Sequence, residues 1–356
     1  MGKIYLDTNV FFKNGYFRSE GAQAKLKACV LAGYDVVLSE IVIDEVIGNF
    51  EKELSQSKDN LQKSLNAVNK IVSIKVDDID VNAETQTYKL ELKLMIDQLG
   101  IEVLPYPSVT TKELVIASYK GMKPFDVNGK GHKDYIIWTS IMDHMLSDVD
   151  DGPFLFISHN TGDFGIGKGK KNQDNSYELH SHLAEQVKPI EEHLTCYTDL
   201  QSALEHEILL ELKGLTLEDV KGKSAMVEYF VEQSISKSLP YTSMDNLEGV
   251  PFSDLIITSY GHPENIKTTF YKFEDSYMAQ ISGSSECLID GYINKSDYLS
   301  EELPYVSISP CNDHVFEAQT EANVEFEITA IYNPETQSLS GQTFTITNEI
   351  QNDWYN

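Results

Sequence analysis

Apolar residues follow two different rhythms along this chain. Over about the first 200 residues, short continuous apolar runs alternate with longer segments of helical period. Residues 3–6, 35–38, 101–104, 153–158 and 195–197 read as strands. Ala22, Leu26, Cys29 and Val30 mark a helix over 19–33, with Gly33 near its end. Ser39 is placed to cap a long helix from Glu40 to about Val72, and a second helix is expected over 83–98. Residues 108–119 read as helical, Lys120–Lys133 as a loop rich in Gly and Lys, Asp134–Leu146 as a helix and Glu178–Gln186 as a shorter one. Further helices are expected near 199–213 and 216–236. Strands alternating with helices predict a parallel sheet with helices on both faces. The uninterrupted apolar run Pro153–Ser158 suits a strand buried on both sides.

The second rhythm starts at about residue 250. Residues 268–273, 277–281, 286–293, 305–309, 315–318, 323–332 and 342–346 are short alternating runs rich in β-branched and aromatic side chains. Turn signals such as Asn333-Pro334 and Ser340-Gly341 separate them. The pattern predicts an antiparallel β domain with acidic faces. The expected organisation is therefore an α/β domain over 1–200, a helical connector over 201–249 and a β-rich domain over 250–356.

Charge sharpens this division. Residues 1–200 carry 30 acids and 21 bases, a net of -9, whereas residues 201–356 carry 26 acids and 7 bases, a net of -19. The C-terminal part should repel nucleic acid; the N-terminal part can still meet a phosphodiester if metal ions and local lysines offset its carboxylates. Arg18 is the one arginine in the chain, so bidentate phosphate recognition is not expected. Cys29, Cys196, Cys287 and Cys311 show no CxxC spacing, which argues against a zinc site or disulfide framework and for reduced thiols in the cytoplasm. No apolar run approaches membrane-span length, and Ile4–Leu6 is too short for a signal-peptide core.

Four acids stand at expected strand ends or helix starts. Asp7 ends the first strand, Glu45 lies early in the helix after the second, Asp134 opens a helix, and Asp163 follows the 153–158 strand. In an open α/β sheet such positions face a common edge, where ligands bind. Clustered carboxylates repel one another and persist where a cation neutralises them. Mg²⁺ and Mn²⁺ are hard cations that favour such oxygen ligands, and they can drive phosphodiester hydrolysis. Thr8, Asn9, Asn160 and Thr161 are placed to hydrogen-bond the ligands. Each acid also has a plain reading: a solvated turn for Asp7, a first-turn helix acid for Asp134, an Asx turn for Asp163. Glu45 competes with neighbouring Glu40 and Asp44, and Asp126 and Asp143 read as solvated.

Other signals are weaker. Gly165–Lys171 is rich in Gly and Lys but lacks P-loop spacing. Its Lys168, Lys170 and Lys171, with Lys123, Lys130 and Lys133, can contact substrate phosphates or simply be solvated. His132 and His159 flank acidic segments and are better suited to structural hydrogen bonding than to proton donation. Trp138 and Phe164 read as core.

The runs Leu6-Asp7-Thr8-Asn9, Ser39–Val46 with Glu45, Gly131-His132-Lys133-Asp134 entering Ile136-Ile137-Trp138, and Thr161-Gly162-Asp163-Phe164 resemble the ordered acidic motifs of PIN-domain nucleases, in particular a larger bacterial PIN-like group. The resemblance covers roughly residues 1–200. It implies a Rossmann-like three-layer α/β/α sandwich that hydrolyses RNA with Mg²⁺ or Mn²⁺. Asp7, Glu45, Asp134 and Asp163 would then be the catalytic metal ligands, with a role in bacterial stress or phage defence. The chain departs from compact PIN toxins in its long helices over 40–98 and in its added β domain, which can hold a protein partner or a second copy. A PIN-like scaffold that binds without cutting and a structure-specific DNA nuclease are the alternatives.

Overall fold

A computed structural model describes residues 2–350 except 127, 148–151, 209–213, 216–222, 245, 248–249, 251–252, 274–275, 295–306, 312–314, 334–335 and 337. The chain divides into two compact units, Met1–Arg18 with Lys25–Glu211 and Ser19–Ala24 with Leu212–Asn356. Among the described residues, no helix is long and apolar enough to cross a membrane. Cys29, Cys196, Cys287 and Cys311 are all free thiols.

In chain order the first unit contains β1 (Gly2–Leu6), α1 (Thr8–Lys13), α2 (Glu20–Leu31, whose start falls in the other unit), β2 (Tyr34–Ser39), α3 (Glu40–Val68), α4 (Val81–Leu99), β3 (Glu102–Leu104), α5 (Thr111–Tyr119), α6 (His132–Ser147), β4 (Phe154–Ile157), β5 (Ser176–Tyr177), α7 (Ser181–Ala184), β6 (Leu194–Tyr197) and α8 (Leu200–Ala203). The sheet order is β3-β2-β1-β4-β6-β5, parallel throughout except for β5, which runs antiparallel to β6. Every residue of β1 and β4 is buried, Lys3 of β1 included, as the apolar runs Ile4–Leu6 and Phe154–Ile157 suit in central parallel strands. From β1 the chain builds outward through β2 to β3, then returns to lay β4 on the other side of β1. The order therefore reverses between β1 and β4, and open α/β sheets bind ligands at the carboxyl edge of such a switch point. Leu6 pairs with Ile157, so Asp7 and Ser158 leave the sheet side by side there.

Two aromatic clusters brace this edge. Trp138 of α6 lies 5.7 Å from Phe156 of β4 and 6.1 Å from Phe164, measured between rings. On α3, Phe50 stacks on Tyr88 of α4 at 4.3 Å, with Tyr16 edge-on to both. Beyond Phe50, α3 is mostly exposed. It stops at Val68 rather than the expected Val72, because nothing covers the apolar residues that follow: Ile71 is 87% exposed. Ser39 does stand at the N-cap of α3, but its hydroxyl makes no capping bond and is buried without a partner. The helix expected over 178–186 shrinks to the single turn of α7, because Glu178–His180 run extended against the turn after Asp163, with Glu178 accepting the Ile166 N–H, Leu179 bridging Gly165 and His180 donating to Phe164.

The second unit contains β7 (Gly214–Leu215), α9 (Lys223–Ser238), β8 (Ser243–Met244), β9 (Asn246–Leu247), β10 (Ser253–Tyr260), β11 (Glu264–Phe273), β12 (Ser276–Asn294), β13 (Ser307–Pro310), β14 (Val315–Asn333), β15 (Ser338–Ile346) and β16 (Glu349–Ile350). An eight-stranded antiparallel sheet is centred on the β12–β14 pair, whose register runs unbroken from Tyr277–Tyr332 to Asn294–Val315. The expected β class is present, but pairs of short runs are fused into strands of 19 residues. Gly283 and Ser284 lie between the expected runs 277–281 and 286–293, yet their backbones stay in the ladder because a 19-residue partner supplies every pairing. The expected helix near 199–213 becomes α8 plus one π turn at Leu204–Ile208, with 209–213 outside the described residues. The helix expected over 216–236 is described as Lys223–Ser238, with 216–222 likewise outside.

Candidate metal centre

Asp7 is the N-cap of α1, and the fold surrounds its carboxylate with donors. Oδ1 accepts the Thr8 backbone N–H at 2.7 Å, while Oδ2 accepts Asn9 Nδ2 at 2.8 Å and Ser158 Oγ at 2.6 Å. Burial pushes the Asp7 carboxyl up to about 6; the Ser158 and Thr8 hydrogen bonds oppose the rise and the nearby Glu45 charge adds to it. Asn9 also accepts the His159 backbone N–H at 3.1 Å, which ties α1 to the loop after β4.

Glu45 reaches the same place from α3. Its Oε2 accepts Thr8 Oγ1 at 2.9 Å, and its Oε1 pairs with Lys133 Nζ at 2.7 Å. Asp163 sits in the turn after β4, where Asn160 Nδ2 donates to Oδ2 at 2.7 Å and Asn160 Oδ1 accepts the Asp163 N–H at 3.2 Å. Lys123 Nζ stands 3.7 Å from Asp163 Oδ1 and donates to the Gly162 carbonyl at 2.6 Å. Asp134, in the first turn of α6, is half-buried. Its carboxyl is pushed up to about 8, first by burial and then by the charges of Asp7, Asp163 and Glu45. Residues more than 150 positions apart in sequence thus share one electrostatic neighbourhood, and the charges of three acids weigh on the fourth.

Ser158, fully buried, was not singled out in the sequence. Its signal was available: it is the first polar residue after a buried strand that neighbours β1. Ser158→Ala is expected to cost about 1–3 kcal/mol, because it strips a buried acceptor of its donor, and to raise the Asp7 carboxyl further. Denaturant unfolding of the metal-free protein reads the cost. Thr161 bonds no acid; its Oγ1 accepts the Gly169 N–H at 2.8 Å and so anchors the basic loop. Lys130, Lys168 and Lys170 are exposed, and Lys133 is engaged by Glu45. Asp126 caps its own loop through the Asn128 and Lys130 N–H groups, and Asp143 shows none of the acid-to-acid coupling. His159 is pushed down to about 4, chiefly by burial, so it is neutral at physiological pH.

Residues 4–164 match the family model of the PIN domain. This stretch is a PIN domain. PIN domains are generally nucleases, typically metal-dependent. No curated protein matches the chain significantly. The PIN domain's parallel sheet with flanking helices and the antiparallel C-terminal region bear out the expected fold class. The donor set suits a hard divalent cation: carboxylate oxygens, one of them held toward its protonated form by burial and by its neighbours' charges. The arrangement is not closed around an ion. Among the described residues, no three His, Cys, Asp or Glu side chains stand in metal-holding geometry. Lys133 and Lys123 instead supply the positive charge, on Glu45 and Asp163.

Proposed function

We propose that this protein is a metal-dependent endoribonuclease whose PIN domain binds Mg²⁺ or Mn²⁺ through Asp7, Glu45, Asp134 and Asp163. The observation that carries this reading is that Asp134, its carboxyl raised first by burial, also lies under the charges of Asp7, Asp163 and Glu45. Carboxylates crowded in this way are costly as bare anions, and a divalent cation removes the cost. When bound, such an ion supplies an activated water and offsets charge on the leaving oxygen of a phosphodiester, giving a 5′-phosphate and a 3′-hydroxyl. The chain's own residues set the geometry. Ser158, Asn9 and the Thr8 amide hold Asp7 in one orientation, Thr8 Oγ1 aims Glu45, and Asn160 aims Asp163. Lys133, in the first turn of α6 beside Glu45, and Lys130, Lys168 and Lys170, on loops, can meet the phosphates of a bound strand.

The strongly acidic C-terminal unit is unsuited to holding nucleic acid. In this reading it serves a protein partner or self-association, and the protein acts in the cytoplasm in stress or phage defence. The test is cleavage of pooled RNA in Mg²⁺, with single-stranded and structured DNA as competitors. Wild type is expected to cut, and Asp7→Asn and Asp134→Asn each to lose at least about a hundredfold, the scale of a lost metal contribution. Activity that survives chelation or both substitutions discards the metal mechanism. Tight RNA binding without cleavage favours the non-cutting scaffold.

A further inference from the structure

A ring of hydrogen bonds adjoins the Asp163 corner of the acid cluster. The His180 N–H donates to the Phe164 carbonyl at 2.8 Å. The His182 N–H donates to His180 Nδ1 at 3.2 Å, and the Lys123 N–H donates to His182 Nδ1 at 3.3 Å. Lys123 Nζ closes the ring on the Gly162 carbonyl at 2.6 Å. The circuit therefore starts and ends on the turn that carries Asp163. The two imidazole rings lie 4.5 Å apart and steeply inclined, at 70°.

This wiring fixes the tautomers. A backbone N–H can only donate, so each Nδ1 must present its lone pair. A neutral ring then keeps its proton on Nε2. Neither Nε2 has a hydrogen-bond partner among the described residues; His182 is exposed and His180 half-buried. The cluster therefore offers two N–H donors and an ammonium, with no free acceptor. Metal ligation through Nε2 would need a lone pair that this tautomer does not provide. Capping alone does not account for it either: a cap uses only an acceptor near the backbone, which Asn or Ser supplies equally well. A donor-only surface suits an anion, whereas a nucleobase edge offers donors and acceptors together.

We propose that Lys123, His180 and His182 form a second phosphate-binding step, which grips the nucleic-acid backbone beside the phosphodiester that the acid cluster cuts. This rests on the nuclease reading above. The step recognises phosphate and not sugar, so it leaves the choice between RNA and DNA to the rest of the site.

The test uses the full-length protein with paired substitutions. Asn at both histidines keeps an acceptor near the Nδ1 position and removes the Nε2 donor; Gln at both returns a donor near the Nε2 position. The His180→Asn/His182→Asn protein is expected to show a KM raised about tenfold, the worth of two modest hydrogen bonds, with kcat and thermal stability retained. Fluorescence anisotropy with a labelled oligouridine, in Mg²⁺ and on an Asp134→Asn background, should weaken by the same factor. His180→Gln/His182→Gln should recover part of the loss. Nitrogen NMR of the wild type should show both rings protonated at Nε2. Unchanged affinity in the Asn pair, no binding by the wild type, a fall in kcat at constant KM, or protons on Nδ1 each overturns the step. An absence of cleavage by every protein, with the binding difference intact, overturns the nuclease reading and leaves the phosphate step standing.

Discussion

Raising the pH from about 4 to about 8 is expected to destabilise the metal-free protein, and Mg²⁺ is expected to restore more stability the higher the pH. The sign follows from the two shifted carboxyls. Asp7 is raised from 3.8 to about 6 and Asp134 from 3.8 to about 8. In this window the folded chain holds protons that the unfolded chain has released. Stability is therefore complete below about 4 and falls as each folded-state value is passed. For the buried Asp7 alone, the change corresponds to roughly 3 kcal/mol. A bound divalent cation displaces those protons and binds only the folded state, so its stabilisation grows as the carboxyls ionise.

Asp134→Asn separates this account from a general acid effect. The substitution keeps the shape and removes the carboxyl under the greatest pressure from its neighbours. The metal-free variant should be more stable than wild type above about pH 7 while losing most of its Mg²⁺ response. Asp7→Asn should behave oppositely. Asp7 accepts hydrogen bonds from Thr8, Asn9 and Ser158, and an amide turns a donor toward one of those donors, so the fold is weakened at every pH. Melting curves with and without chelator across this pH range check both. A metal-free Asp134→Asn protein no more stable than wild type at about pH 8 would mean that the carboxylates are not crowded.

The parts of this organisation that were legible in the sequence are those fixed by local pattern. Ile4–Leu6 and Phe154–Ile157 read as buried strands because continuous apolar runs have few other homes. Asp7 stands out because it directly follows such a run, and Asp163 because it lies in the turn a few residues past one. What escaped was whatever depends on a distant partner. The end of α3 is set by the absence of anything to cover Ile71. The 19-residue strands β12 and β14 hold together because each supplies the other's ladder, which overrides the gaps at 282–285 and 319–322 between the short runs. At the site, acid positions follow from strand ends, but their partners follow from register. Ser158 meets Asp7 because Leu6 pairs with Ile157, and Lys133 meets Glu45 because α6 and α3 converge, neither of which a linear pattern records. His180 and His182 fall in the expected helix over 178–186, whose start is in fact a loop pinned to the Asp163 turn by the Leu179–Gly165 bridge and the His180 N–H bond to Phe164.

Trp138→Ala is expected to cost about 3–5 kcal/mol and to reduce cleavage beyond what the folded fraction explains. Trp138 is 1% exposed, and its indole packs on Phe156 and Phe164 while Nε1 donates to Gln186 Oε1 at 3.0 Å. Each contact leads to an acid. Asp134 lies one helical turn before Trp138 on α6, so the two share a face. Phe164 immediately follows Asp163. Phe156 belongs to β4, which is followed at once by Ser158, the donor to Asp7. Removing the indole leaves a cavity beneath three of the four acid-bearing segments, and metal chemistry tolerates little misplacement of its ligands. Trp138→Phe retains most of the packing and loses the bond to Gln186, so its cost should be nearer 1–2 kcal/mol with activity largely kept. Urea unfolding gives the stabilities, and kcat/KM measured well below each variant's melting temperature gives the catalytic effect. If Trp138→Ala loses stability but cuts normally once folded, the acids are positioned by their own hydrogen bonds, and the aromatic cluster serves the fold alone.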